Sequence, residues 1–120
     1  MTYEDFNQYC QSLPSTTYVI QWGGSHVWKV GGKVFAIGGW GDGKYSGITF
    51  KVSEITYEIL RDKPGLRPAP YFASRGMKWI QQYNKPGLPD KRLKEYLQDS
   101  HHIVSLGLTK KLQKALGLIQ

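Results

Sequence analysis

The sequence is short of cysteine, of acidic side chains and of long apolar runs, and each shortage removes a class of function. Cys10 is the single cysteine among 120 residues. One thiol forms no intrachain disulfide and builds no cysteine-rich zinc site, so a reducing compartment, the cytoplasm, is expected. No apolar stretch approaches the roughly 20 residues that span a bilayer, and the start MTYEDFNQY carries neither the basic nor the apolar region of a signal peptide. No membrane partner is therefore expected. Nine acids stand against sixteen Lys and Arg, and they are scattered along the chain. The paired carboxylates of a nuclease, phosphatase or glycosidase are missing, and so is the Gly-x-Ser-x-Gly elbow of many hydrolases. His101 and His102 are neighbours on a helix and point about 100° apart, too far to share one ion from one face, and His26 is remote in sequence. The expectation is a chain that is not an enzyme and has no cofactor and no metal site.

What is present is a globular composition, with 40% hydrophobic and 21% charged residues. A chain of this length fits one domain, 1–120, and buries about two thirds of its unfolded surface. The charge is unevenly placed. Nine cations between Arg61 and Lys94 face only Asp62 and Asp90, and the rest of the chain carries seven of each sign. The window therefore holds the whole net charge of +7. A positive field concentrated in this way steers toward polyanions.

In chain order, Thr2 and Asp5 form a capping signal ahead of Phe6, Tyr9, Cys10 and Leu13, the stripe of an amphipathic helix closed by Pro14. Cys10 falls on that stripe and is expected in the core. From Thr16 to Val52 the period drops toward two, in TTYVIQW, HVWKV, KVFAI and YSGITFKV, which predicts four consecutive antiparallel strands. Gly31-Gly32 is a two-residue hairpin turn. Simple alternation groups Val27, Lys29, Val34 and Ala36 against Trp28, Val30, Phe35 and Ile37, although the nearly continuous apolar pattern leaves those faces open. The segment GGWGDGK fails as a phosphate loop, because Tyr45 follows Lys44 where Ser or Thr is needed and a strand follows where a helix is needed. It is expected as a flexible hairpin tip bearing Trp40 and Lys44.

Ser53 caps a helix through Leu60 that is expected to bury Ile55, Ile59 and Leu60. Leu66 to Tyr71 is expected as a stiff loop set by Pro68 and Pro70. Met77–Tyr83 has strand character, with Met77, Trp79, Gln81 and Tyr83 on one face. Pro89 and Asp90 open a long helix with Leu93, Tyr96, Leu97, Ser100 and Val104 inward, ending near Gly107. Thr109 then caps a short basic helix with Leu112, Ala115 and Leu116 inward.

The hairpin HVWKVGGKVFAIGG, the segment PAPYFASRGMKWIQ and the tail YLQDSHHIVSLGLTKKLQ resemble the MmcQ/YjbR family along nearly the whole chain. Lys33, Phe35 and Trp79 match best, and the Ser-Tyr pair usual in the long helix corresponds to Ser100-His101. The resemblance implies an α/β (α+β) fold of two layers, an antiparallel sheet of about five strands with helices packed on one face. The order is α-β-β-β-β-α-β-α-α, similar to frataxin and secretion-chaperone folds. The iron capture of the frataxin shape is not expected, since the first helix offers only Glu4 and Asp5. The family is commonly described as DNA-binding.

Two functions follow as expectations. In the first, a monomer binds DNA with little sequence preference, using glycine-rich hairpins as a double wing together with Lys33, Trp40, Lys44, Arg67, Arg75, Lys78, Lys110 and Lys111. The alternative is a protein-protein interaction module, with an exposed aromatic sheet face built on Trp22, Trp28, Trp40 and Tyr45. A small-ligand pocket lined by Trp28, Tyr71 and Trp79 is a third arrangement that the sequence leaves open.

Overall fold

The structure is a computed structural model that describes residues 1–39 and 47–119. The expected hairpin tip with Trp40, Lys44 and Tyr45 lies outside the described residues. Helix α1 (Tyr3–Ser12) starts in the capping box read from the sequence, with the Asp5 amide donating to Thr2 Oγ1 at 3.0 Å. The strands β1 (Thr16–Gln21), β2 (Ser25–Val30), β3 (Lys33–Gly38) and β4 (Ile48–Lys51) follow, each antiparallel to the last. Gly31 and Gly32 take φ of 58° and 81°, the left-handed values that a tight β2–β3 turn demands. Helix α2 (Glu54–Leu60) is capped by Ser53. Strand β5 (Leu66–Pro68) leads through a 3-10 turn at Ala73–Arg75 to β6 (Trp79–Gln82), and helices α3 (Asp90–Leu106) and α4 (Lys110–Ala115) close the order.

Among the described residues the sheet has six strands in the order β1-β2-β3-β4-β6-β5, one more than expected. The additional strand is β5, inside the stretch expected to be a loop. Pro68 is tolerated there because β5 pairs only with β6 and needs no donor on its outer side. On one side of the sheet the row Tyr18, Trp28, Ala36, Phe50, Ile80 and Pro68 meets the helices. Phe6 and Cys10 of α1, Tyr57 and Leu60 of α2, and Leu93, Leu97 and Val104 of α3 complete that core. Fully burying each large apolar side chain contributes about 1.5–3 kcal/mol. On the other side the next row, Val19, Val27, Ile37, Thr49, Gln81 and Arg67, runs across all six strands. It changes from apolar to polar half way.

Three expected faces are corrected. The register shifts between Trp28 and Lys29, so that Trp28 opposes Ala36 while Lys29 opposes Val34. Phe35 is the extra residue of a β-bulge, and it and its neighbour Ala36 both enter the helix-side core. Simple alternation therefore misplaces Ala36 and Ile37. In α2 the buried residues are Tyr57 and Leu60, whereas Ile55 is 75% and Ile59 56% exposed. The helix turns its i, i+3 pair Tyr57 and Leu60 inward, and both join the helix-side core. In α4 Gln113 is buried and donates to the Leu108 carbonyl at 2.8 Å, while Ala115 is exposed.

Candidate functional site

The strands β3 and β4 pair only over Ala36–Gly38 and Ile48–Phe50. β4 continues beside β6 as far as Lys51 opposite Trp79, but the bulge at Phe35 turns the start of β3 away. The next ladder contact would join the Phe35 carbonyl to the Lys51 amide. Instead the hydroxyl of Ser100, fully buried on α3, donates to Phe35 O at 2.6 Å and accepts from Lys51 N at 2.9 Å. A side chain thus satisfies the two backbone groups that the divergence releases. Its neighbour His101 is also buried and bonds the Pro14 carbonyl through Nε2 at 2.7 Å, with its ring edge-on to Phe35. Burial holds the His101 pKa below the usual imidazole value, the charge of His102 acts in the same direction, and the Pro14 bond opposes them.

Where the strands part there is a cavity of about 620 Å³. Its walls come from distant stretches of chain: Trp22, Lys33 and Val34, Lys51, the 71–79 segment, and Ile103 to Gly107 at the end of α3. Tyr71 and Trp79 line it as the sequence suggested. Trp28 does not, for it lies in the helix-side core with its Nε1 donating to Asn7 Oδ1 at 2.9 Å. Phe72 stacks on Trp79 at 4.5 Å. Trp79 is 4% exposed and its Nε1 is buried without a hydrogen-bond partner. An unmatched buried donor of this kind costs about 1–3 kcal/mol, and no carboxylate lines the cavity among the described residues.

The residues predicted to bind nucleic acid divide into groups. Lys33 is exposed near the hairpin tip, with Nζ 3.5 Å from the Gly107 carbonyl. The tip is seated on the α3–α4 turn, since a Cβ on Gly31 would meet Leu108 Cδ1 at 2.5 Å. Lys110 and Lys111 emerge from that same turn and are exposed. Arg75, also exposed, lies over the ring of Tyr71 at 4.7 Å, and Tyr71 lines the cavity together with Lys33. The other two stand apart. Arg67 is tied to Gln81 Oε1 by Nε at 2.9 Å and Nη2 at 2.7 Å and covers the Tyr83 ring at 4.4 Å. Gln81 in turn donates to Thr49 Oγ1 at 3.1 Å, a buried polar chain across three strands. Lys78 reaches the helix side, with Nζ 4.6 Å from the Tyr57 ring centre. Trp40 and Lys44 lie outside the described residues.

The ion pairs among the described residues are Met1 amine with Asp90, Arg61 with Glu58 and Arg92 with Glu95. None of them uses a predicted site cation. No group of three or more His, Cys, Asp or Glu side chains that could hold a metal ion occurs among the described residues, and no described helix is long and apolar enough to cross a membrane. Sequence reasoning missed Lys51, Ser100 and Ile103 as parts of one place. Nothing local marks them, because strand divergence brings them together.

Known proteins agree with this architecture. A Deinococcus radiodurans protein with a DUF419 domain is similar at a TM-score of 0.81 and 24% identity, over 97% of this chain and 88% of that one. A Pseudomonas syringae protein is similar at a TM-score of 0.67 and 24% identity, over 86% of this chain and 98% of that one. At such identity these likenesses establish the fold alone. No curated protein matches. The YjbR family model matches residues 11–103, the span from the last residues of α1 through most of α3 that contains all six described strands and the bulge. The chain belongs to the YjbR family.

Proposed function

We propose that the chain is a non-enzymatic DNA-binding protein that engages phosphates through a basic surface, with little base preference. The observation that carries this reading is the grouping of Lys33, Lys110 and Lys111 around the seated β2–β3 hairpin tip, with Arg75 over Tyr71 of the cavity that Lys33 also lines and no carboxylate paired to any of them among the described residues. Unpaired ammonium and guanidinium groups release counterions when they meet phosphates, so affinity follows their number and falls with salt. The hairpin serves as the wing, held against Leu108 and able to present Lys33 to a groove. The test is a gel-shift titration of duplex DNA across several salt concentrations. The log–log slope is expected near −0.9 per phosphate contacted. Replacing Lys33, Lys110 and Lys111 with Ala should flatten it by about two to three units, while Lys78→Ala leaves it nearly unchanged. A flat salt dependence in the parent protein, or no shift at low salt, refutes the reading.

A specific observation favours a second reading, the interaction module. Tyr18, Ile20 and Trp22 are exposed at alternate positions on and just beyond β1, an edge strand. An extended partner segment could add to that edge. Trp28 is only 5% exposed, so the aromatic face expected from the sequence is reduced to this margin among the described residues. Ile20→Glu would separate the readings, since it should abolish partner capture and leave the salt-dependent DNA shift intact.

A further inference from the structure

We propose that the cavity beside Trp79 is a binding site for a small planar aromatic carboxylate. Its walls are apolar and flat where Trp22, Tyr71, Phe72 and Trp79 meet Met77 and Ile103, surfaces that suit a fused-ring body. Lys33 and Lys51 line the cavity and no acid does among the described residues, so an anionic group is the complement. Trp79 lines the cavity and its buried Nε1 has no hydrogen-bond partner, so a carboxylate that reaches it would satisfy that donor. A volume of about 620 Å³ admits a two-ring acid with room to spare. A nucleobase is the poorer fit, because it brings N–H donors of its own to a lining whose side chains are mostly donors or hydrocarbon. The site shares Lys33 with the proposed duplex surface, while Lys51, Trp79 and Ile103 belong to the cavity and not to that surface.

The experiment titrates the full chain with 2-naphthoate and with the neutral 2-naphthalenemethanol, read by calorimetry and tryptophan fluorescence. Naphthoate should saturate at one per chain, with the alcohol weaker by about tenfold. Lys33→Gln with Lys51→Gln should remove that difference, and Trp79→Phe, which keeps a ring but loses the donor, should weaken naphthoate about three- to tenfold. Ile103→Trp should fill the cavity and abolish binding of both, and thermal melts establish that each variant is folded. Should Ile103→Trp fail to fold, Trp79→Phe decides alone. The proposal is overturned if naphthoate does not saturate, if acid and alcohol bind equally, or if Trp79→Phe keeps full affinity. It is equally overturned if oligothymidylate displaces naphthoate more effectively than naphthoate binds, which would reassign the cavity to single-stranded nucleic acid. Trp79→Phe and Ile103→Trp keep every exposed cation, so the duplex gel shift should survive in both and tells failure of this site from failure of the DNA reading, whereas Lys33→Gln should itself lower the salt slope by about one.

Discussion

Replacing Ser100 with Ala should unsettle the protein more than the loss of one oxygen suggests. The hydroxyl is fully buried and serves the Phe35 carbonyl at 2.6 Å and the Lys51 amide at 2.9 Å at once. Truncation leaves both backbone groups buried without that partner, and each unmatched group costs about 1–3 kcal/mol. If the strands relax part of the way toward one another, the expected loss is about 3 kcal/mol, a large share of the roughly 5–15 kcal/mol that holds a domain together. For a chain of this size that lowers Tm by on the order of 10 °C. Urea denaturation followed by circular dichroism measures it, with an unchanged slope showing that the unfolded state is not the cause. Ser100→Thr keeps a hydroxyl and should recover more than half of the loss. A Ser100→Ala protein within about 0.5 kcal/mol of the parent, inside the range of an ordinary surface change, refutes the bridging role.

Three further outcomes are expected. Gly31→Ala and Gly32→Ala meet similar left-handed strain, but only the Gly31 Cβ strikes Leu108, so Gly31→Ala should be the more destabilising by about 1 kcal/mol in the same denaturation assay. Equal losses would show that the tip is not seated as described. His101 has its pKa lowered in the native state, so below its unfolded value of about 6.5 the unfolded chain binds a proton that the native chain refuses. Stability should be complete above that pH and fall as the pH drops toward the native pKa, by at most about 1.4 kcal/mol per pH unit. His101→Gln should flatten this acid limb, and an unchanged limb would assign it to other groups. Burial raises the Cys10 thiol pKa far above its ordinary value. Thiol reagents at pH 8 should therefore label it only at the rate of unfolding, and fast labelling of native protein would contradict the packing.

Much of the fold was legible because short-range signals agreed with one another. The Thr2–Asp5 box, the Ser53 and Thr109 caps and the Gly31-Gly32 turn each satisfy a local backbone need, and each is found where the sequence places it. The faces of β3 were not legible, because a bulge adds one residue and reverses the alternation without leaving a mark in VFAI. β5 was hidden by its length and by Pro68, which reads as a loop residue until the strand is known to be outermost. Ile55 and Ile59 promised a buried face that Tyr57 took instead. The cavity was half legible. Tyr71 and Trp79 stand out as aromatic residues beside prolines, while Lys51 and Ile103 join them only through the parting of two strands. Among the predicted cations, clustering in sequence proved a poor guide to clustering in space. Lys33, Lys110 and Lys111 come together from far apart, whereas Arg67 and Lys78, close in the chain, take opposite sides of the sheet.

The two margins of the sheet differ in what they offer another chain. At β5 the outermost strand is three residues long, Pro68 has no amide hydrogen, and the Leu66 amide is already committed to the Lys63 carbonyl. Such a border gives a stray polypeptide almost nothing to zip onto. β1 runs for six residues and contains no proline. Growth of this sheet by an extra ribbon, whether from a cognate protein or from a misfolded copy, is thereby channelled to one side, and a single proline introduced at Ile20, whose amide faces away from β2, would blunt that side as well.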